Sequence, residues 1–461
     1  MSNVNLFDEF DPVSAKAWKQ KIQVDLKGAD YNEALIWKSP EGIDVKPFYH
    51  SEDVEGVLSN ISKSPKKWYV TQSLYAQDSK RANKKAIEAL KRGAESLLIV
   101  IPSETISIND LLTNIDLESV PIHFEFNFLS SEYLKSLVDY IGDKKTEVFL
   151  NLDIVGNLAR TGNWYHSMDK DYQIVKEIHD YAQGNPSICI LGTDVSLYQN
   201  AGANKVQQLA YALAQANEYL NFFKELDKEV ATIAFKVTVG TNYFFEIAKL
   251  RALRLLWETL AQEYGVETDC HILAIPTKRN KTLYDYNVNM LRTTTESMSA
   301  ILGGSDSVCN LSYDSIFHKD NEFGERIARN QLLILKGESY FEKVANPADG
   351  AYYIESLTHQ LAEKALELFK SIEAGGGFLK QLKEHVIQKK VKESAEKEQL
   401  LFDEGKEVLL GTNKYKNDQD HMKEALELYP FLKKDKRKTL IEPILEKRLA
   451  ESLEQKRLGD E

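Results

Sequence analysis

From Trp68 onward, short apolar runs of β-branched and aromatic residues alternate with longer stretches in which apolar residues recur every three or four positions. These two periods mark strands and amphipathic helices. Trp68–Leu74, Ser96–Ile101, Ile122–Asn127, Glu147–Asp153, Ser187–Leu191, Val230–Val237, Cys270–Ile275 and Ser307–Ser312 predict eight strands. Lys80–Arg92, Tyr133–Ile141, Tyr172–Gln183, Ala203–Lys224 and Tyr243–Tyr264 predict helices between them. Strands apolar on both faces, separated by helices, imply a parallel sheet covered on both sides. Eight such units in about 245 residues match a closed, eight-stranded parallel β/α (TIM-type) barrel, typically ~250 residues long. An open doubly wound sheet is disfavoured, since no Gly-x-Gly-x-x-Gly or Walker-type loop follows the first strand.

The flanks read differently. Val13, Trp18, Ile22 and Leu26 have helical spacing that ends at Gly28, and Trp37–Tyr49 (WKSPEGIDVKPFY) alternates apolar residues with Pro and Gly. That arm is expected to run extended over another surface, either the body of this chain or a second subunit. After the eighth strand, Phe323–Tyr340 and Leu357–Ala374 predict two more helices, the second closed by Gly375–Gly377. Beyond them Phe378–Lys397 and Met422–Glu454 are helix-like, and Glu407–Leu410 is a short strand candidate. The expected organisation is an N-terminal helix and arm (1–65), a barrel with its following helices (66–377) and a charged, mostly helical extension (378–461).

Composition narrows the function classes. A hydrophobic share of 43% and a charged share of 28% fit an ordinary folded protein. The net charge of −12 argues against a broad nucleic-acid or anionic-membrane surface. Charges of alternating sign beyond Gly377 read as solvated helix faces. Cys189, Cys270 and Cys309 lie far apart in apolar strands, which suggests buried thiols and neither disulfides nor a zinc site. No stretch approaches the ~18 apolar residues of a membrane helix, and the acidic start lacks an apolar signal core, so a cytoplasmic location is expected.

Active sites of such barrels lie at the carboxyl ends of the strands. Those ends offer Gln72, Ser73 and Tyr75, then Asn127, Asp153, the stretch Asp194–Asn200, and Thr277–Lys281. His123 and His271 fall within strands, where a core histidine is the simpler reading. Thr277, Lys278, Arg279, Asn280 and Lys281 bring three cations to the predicted mouth. They read either as a seat for a phosphorylated ligand or as a solvated loop. No Ser–His–Asp order or carboxylate pair emerges from spacing.

The ordered series RTTTESMSAILGGSDSV (from Arg292), RIARNQLLILKGES (from Arg326) and NPADGAYYIESLT (from Asn346) closely resembles the methylmalonyl-CoA mutase family of adenosylcobalamin-dependent acyl-CoA mutases. The resemblance extends to NYFFEIAKLRALRLLWETL (Asn242–Leu260), AGANKVQQLAYALAQANEYL (Ala201–Leu220), the arm Trp37–Tyr49 and LLGTNKY (Leu409–Tyr415), so it covers nearly the whole chain.

Two departures shape what the resemblance implies. Active mutase chains carry Gly-Tyr-His-x-x-Glu-Ala-Gly-Ala after the fifth barrel strand, where the histidine hydrogen-bonds the substrate thioester carbonyl. Here Gly192 is followed by Thr193, Asp194, Val195, Ser196, Leu197, Tyr198, Gln199 and Asn200 before Ala201–Ala203, with no histidine. Loss of such a donor can cost about 3–4 kcal/mol of transition-state stabilisation. Active chains also bind cobalamin on a C-terminal flavodoxin-like domain, whereas the 84 residues after Gly377 show no βαβ alternation. Asp269–Ala274 approximates the Asp-x-His-x-x-Gly cobalt-ligand motif, but Ala274 replaces its glycine and the match lies on a barrel strand.

The resemblance therefore implies the small, or beta, subunit of a heterodimeric mutase. Such a chain has no catalytic or metal-binding residues of its own and no cofactor. Adenosylcobalamin, and the interconversion of methylmalonyl-CoA and succinyl-CoA, belong to the large (alpha) partner, and the arm contributes to the subunit contact. Tyr198, Gln199, Asn200, Thr277, Lys278 and Arg279 remain as vestigial or candidate ligand positions. The alternatives are an acyl-CoA-binding regulator and an autonomous barrel isomerase or lyase with a repurposed site.

Overall fold

A computed structural model describes residues 10–54, 65, 67–266, 269–433 and 437–461. Its body is a closed barrel. A two-stranded hairpin comes first in the chain, with β1 (Trp37–Lys38) antiparallel to β2 (Asp44–Val45). The barrel strands are β3 (Tyr69–Tyr75), β4 (Ser96–Ile101), β5 (Ile122–Phe126), β6 (Val148–Leu152), β7 (Ile188–Asp194), β8 (Ala234–Val239), β9 (His271–Pro276) and β10 (Ser307–Cys309). Each pairs in parallel with its neighbour in chain order, and β10 closes the ring against β3. All eight expected strands are present.

Residues alternate between two environments along each strand, as a pleat requires. Val70, Leu97, Ile99, Ile122, Phe124, Val148, Phe235, Val237 and Ile272 face the surrounding helices and form one continuous core with them. The opposite positions fill the barrel. The rings of His123, Phe149 and His271 stack together, with centroids 4.0–5.0 Å apart, and the Ser307 hydroxyl lies 3.2 Å from the His271 Nε2. Above them Leu98, Leu273 and Cys309 form a small apolar group. The axis is thus packed with side chains through its lower part.

Helix starts follow their caps. Asp78, Ser130 and Ser167 each accept a backbone N–H of the first turn of Ser79–Lys91, Ser131–Ile141 and Met168–Ala182. Asn204 and Gln207 make a reciprocal capping box for Lys205–Glu225. The N-terminal arm lies on the chain's own body. Ile43 is buried, Trp37 packs edge-on to Phe245 at 5.6 Å, and Tyr49 lies against Tyr353.

The C-terminal region departs from expectation. The run Phe378–Lys397 is two helices, Phe378–Lys383 and Val386–Asp403, separated at His385, whose φ of 61° breaks helical geometry. The described residues between 422 and 450 hold no helix, and the last helix spans only Glu451–Asp460. Pro430 and Pro443 each remove a donor and clash with a continuing helix. The non-helical backbone instead bonds to the barrel rim. The strand candidate Glu407–Leu410 is reduced to one bridge, Leu410 to Lys414.

Candidate functional site at the barrel mouth

Charged side chains of alternating sign cross the carboxyl end of the barrel. Glu125 on β5, Lys236 on β8 and Asp194 at the end of β7 occupy inward-facing positions, because Phe124, Phe235 and Val237 beside them face outward. The Lys236 Nζ lies 2.8 Å from the Glu125 Oε1 and 2.9 Å from the Asp194 Oδ2. Arg160, in the helix Ile154–Thr161 that follows β6, places Nη2 2.7 Å from the same Asp194 oxygen. Its Nη1 lies 3.0 Å from the Glu446 Oε1, contributed by the C-terminal segment.

This arrangement fixes the state of Asp194. Burial pushes its carboxyl upward, but Lys236 and Arg160 outweigh that effect and hold it at about 2. Its Oδ1 accepts the N–H of Ser196 at 3.0 Å and the Ser196 hydroxyl as well. Both carboxylate oxygens are engaged. For Lys236 and Arg160 burial favours the neutral form, and the facing carboxylates more than reverse it.

Beneath the mouth, Asp153 caps the helix Ile154–Thr161 and ties β6 to β7. It accepts from the N–H groups of Gly156 and Asp194, both at 2.8 Å, from the Tyr219 hydroxyl at 2.7 Å and from the Gln215 amide. The two strands run close here. A Cβ on Gly192 would sit 2.7 Å from the Asn151 Cα, so glycine is required.

The sequence-predicted residues do not form one site. Tyr198 is fully buried, and its hydroxyl donates to Gln215 behind the strands, away from the mouth. Gln199 belongs to a second buried cluster, between Glu246 at 3.1 Å and Lys249 at 3.1 Å. Asn200 does reach the rim. Its Oδ1 accepts from the Thr277 hydroxyl at 2.6 Å and the Lys278 N–H at 3.1 Å, while its Nδ2 donates to the Glu446 Oε1 at 3.1 Å. Arg279 pairs with Glu398 at 2.5 Å and donates to the Lys447 carbonyl at 2.7 Å. Lys281 is buried against Glu296. Of the three cations in that loop, Lys278 alone is exposed.

Tyr75, at the tip of β3, and Asn127, after β5, are exposed on the far side of the mouth. Glu125, Lys236, Arg160 and Glu446 were not foreseen. A charged residue at an inward position of an otherwise apolar strand was a usable signal for the first two. No local pattern announced the last two. His271 stands inside the barrel floor rather than at the mouth, and burial pushes its imidazole down to about 3.

The family model for methylmalonyl-CoA mutase matches residues 100–457. The methylmalonyl-CoA mutase small subunit of Porphyromonas gingivalis is 34% identical over 89% of this chain and 71% of its own length. The small subunit of Propionibacterium freudenreichii subsp. shermanii is 28% identical over 84% of this chain and 66% of its own. The methylmalonyl-CoA mutase of Rhizobium meliloti is 28% identical over 90% of this chain and 65% of its own. This chain thus spans roughly two thirds of the length of such relatives. From the barrel, from the family model and from these likenesses, the chain belongs to the methylmalonyl-CoA mutase family.

Proposed function

We propose that this chain is the small, non-catalytic subunit of an adenosylcobalamin-dependent methylmalonyl-CoA mutase, whose large subunit carries the cofactor and the chemistry. The observation that carries the reading is the state of Asp194. Counted from Gly192 it takes the third place, that of the histidine in Gly-Tyr-His, in a loop that runs eight residues to Ala201 where the motif has five. An ionised carboxylate accepts hydrogen bonds and donates none. Held at about 2 and engaged by Lys236, Arg160 and Ser196, Asp194 offers no donor to a thioester carbonyl. Its negative charge would oppose the partial charge that develops on that oxygen.

The cofactor does not fit the residues at hand. Among the described residues after Gly377 there are three helices and irregular chain, without a parallel sheet. His271, in the nearest approach to a cobalt-ligand motif, is enclosed by His123, Phe149 and Ser307. No step of the reaction is therefore assigned to this chain.

A partner surface is available at the N-terminus. The helix Ala15–Asp25 buries none of its residues, and Val13, Trp18 and Val24 are exposed on it or beside it. We infer that these exposed apolar side chains are open to a partner. A cytoplasmic location accompanies this reading, and among the described residues no helix is long and apolar enough to cross a membrane.

The test is to purify the chain alone and together with the large subunit, and to add methylmalonyl-CoA and adenosylcobalamin to each. The expected result is that the isolated chain binds neither and forms no succinyl-CoA, while the pair co-purifies and turns over. Binding of the CoA ester alone would favour the regulator. Turnover by the isolated chain would favour an autonomous isomerase.

A further inference from the structure

The C-terminal segment between Lys438 and Ala450 lies along three of the strand-tip loops. Leu440 N–H and Ile441 N–H donate to the Gly162 carbonyl, and Ile444 N–H donates to Ala159, all after β6. Lys447 N–H donates to Asn200 after β7, and Leu449 N–H to Arg279 after β9. These contacts are made by backbone, so they fix the course of the segment whatever its side chains are. One side chain then enters the mouth. The Glu446 Oε1 receives the Arg160 Nη1 at 3.0 Å and the Asn200 Nδ2 at 3.1 Å. Two donors from different strand tips converge on a single carboxylate oxygen.

Both donors are themselves held in place. Arg160 is fixed from behind by Asp194, which Lys236 holds in turn, and Asn200 by Thr277 and the Lys278 backbone. Rigid, convergent, charge-assisted donors are what recognition of a free carboxylate needs. They stand at the end of the fold where β/α barrels take their ligands.

We infer that Arg160 and Asn200 form a carboxylate-binding seat at the barrel mouth, and that Glu446 of the chain's own C-terminal segment fills it as an internal ligand. The ligand class this seat takes is a small carboxylate. In the intact chain the tethered Glu446 competes at high effective concentration, so free carboxylates do not enter. The seat holds its carboxylate whether or not the chain catalyses anything.

The experiment uses Glu446→Ala, which removes the internal carboxylate, adds no cation and sits at a half-exposed position, so the fold is kept. Thermal midpoints are recorded against succinate, with chloride at matched ionic strength as the control. A binding ligand raises the midpoint in a saturable manner. The seat predicts a saturable rise for Glu446→Ala, at least about tenfold less response in the intact chain, and loss of the rise in Glu446→Ala/Arg160→Gln. Glu442→Ala is the negative control, since Glu442 pairs with Lys392 on the same segment but outside the mouth. An unresponsive Glu446→Ala, an intact chain that responds equally, or a rise that survives Arg160→Gln would each overturn the assignment.

Discussion

Lys281 and Glu296 lie 2.8 Å apart with both side chains shielded from water, and Asn280 donates to the same carboxylate at 2.6 Å. Burial pushes Lys281 down and Glu296 up, toward the neutral forms, and each partner opposes the shift of the other. A pair of this kind contributes little net stability but is costly to break, because the surviving charge has no water to turn to. Lys281→Met should therefore lower the unfolding free energy by about 3–5 kcal/mol. Measured by urea titration, the double variant Lys281→Met/Glu296→Leu should recover most of that loss. The pair also shows what a sequence can conceal. Thr277–Lys281 read as a cluster of cations at the mouth, yet the partners of Arg279 and Lys281 are Glu398 and Glu296, 119 and 15 positions away. Whether a cation is free depends on contacts that spacing does not encode. The missing histidine was visible between Gly192 and Ala201, but the clamped, ionised state of Asp194 required Arg160 and Lys236 to be placed in space.

At the scale of elements, the strands were the most legible part, since burial on both faces leaves a continuous apolar run that few other structures produce. The observed ends shift by a few residues. Val230–Val237 begins its ladder only at Ala234, and Ser307–Ser312 stops at Cys309, where the Asn310 amide turns to the Ala328 carbonyl instead. The C-terminal segment was misread because its Lys and Glu content favours helix locally, while Pro430, Pro443 and tertiary bonds to Gly162, Asn200 and Arg279 hold it irregular. The arm, expected to run extended, doubles back as a hairpin in which Trp37 pairs with Val45, and what it covers was not legible either. It is pinned by Ile43 in the core and by Lys205, which contacts Glu41 at 3.4 Å and Glu246 at 3.8 Å. Ile43→Ala removes the arm's fully buried apolar side chain, at a cost of roughly 2–5 kcal/mol to docking of the arm. Trypsin should then cut the arm before the barrel unfolds, whereas the parent arm and barrel should be lost together.

For the whole molecule, pH acts through the barrel floor. Burial lowers both imidazoles, His123 well below its ordinary value and His271 to about 3. In the unfolded chain both titrate near ~6.5. Below that pH the unfolded state binds the extra protons, so stability is complete above about 6.5 and falls as the pH drops toward the folded values. The slope is up to ~1.4 kcal/mol per pH unit for each histidine. Urea unfolding at pH 7.0 and pH 5.5 should show a loss of about 2–3 kcal/mol for the parent. The His123→Asn/His271→Asn variant, less stable throughout, should show a markedly smaller change between the two conditions.

The proposed role leaves the chemistry to the large subunit and gives the mouth of this barrel no part in it. Its most direct test is the turnover of the complex with the large subunit when this chain carries Asp194→Asn, measured as kcat and kcat/KM for methylmalonyl-CoA. A chain whose mouth takes no part in chemistry predicts values within about twofold of the parent complex. A fall of about 100-fold, the size expected for removing a group that stabilises the transition state, would contradict it.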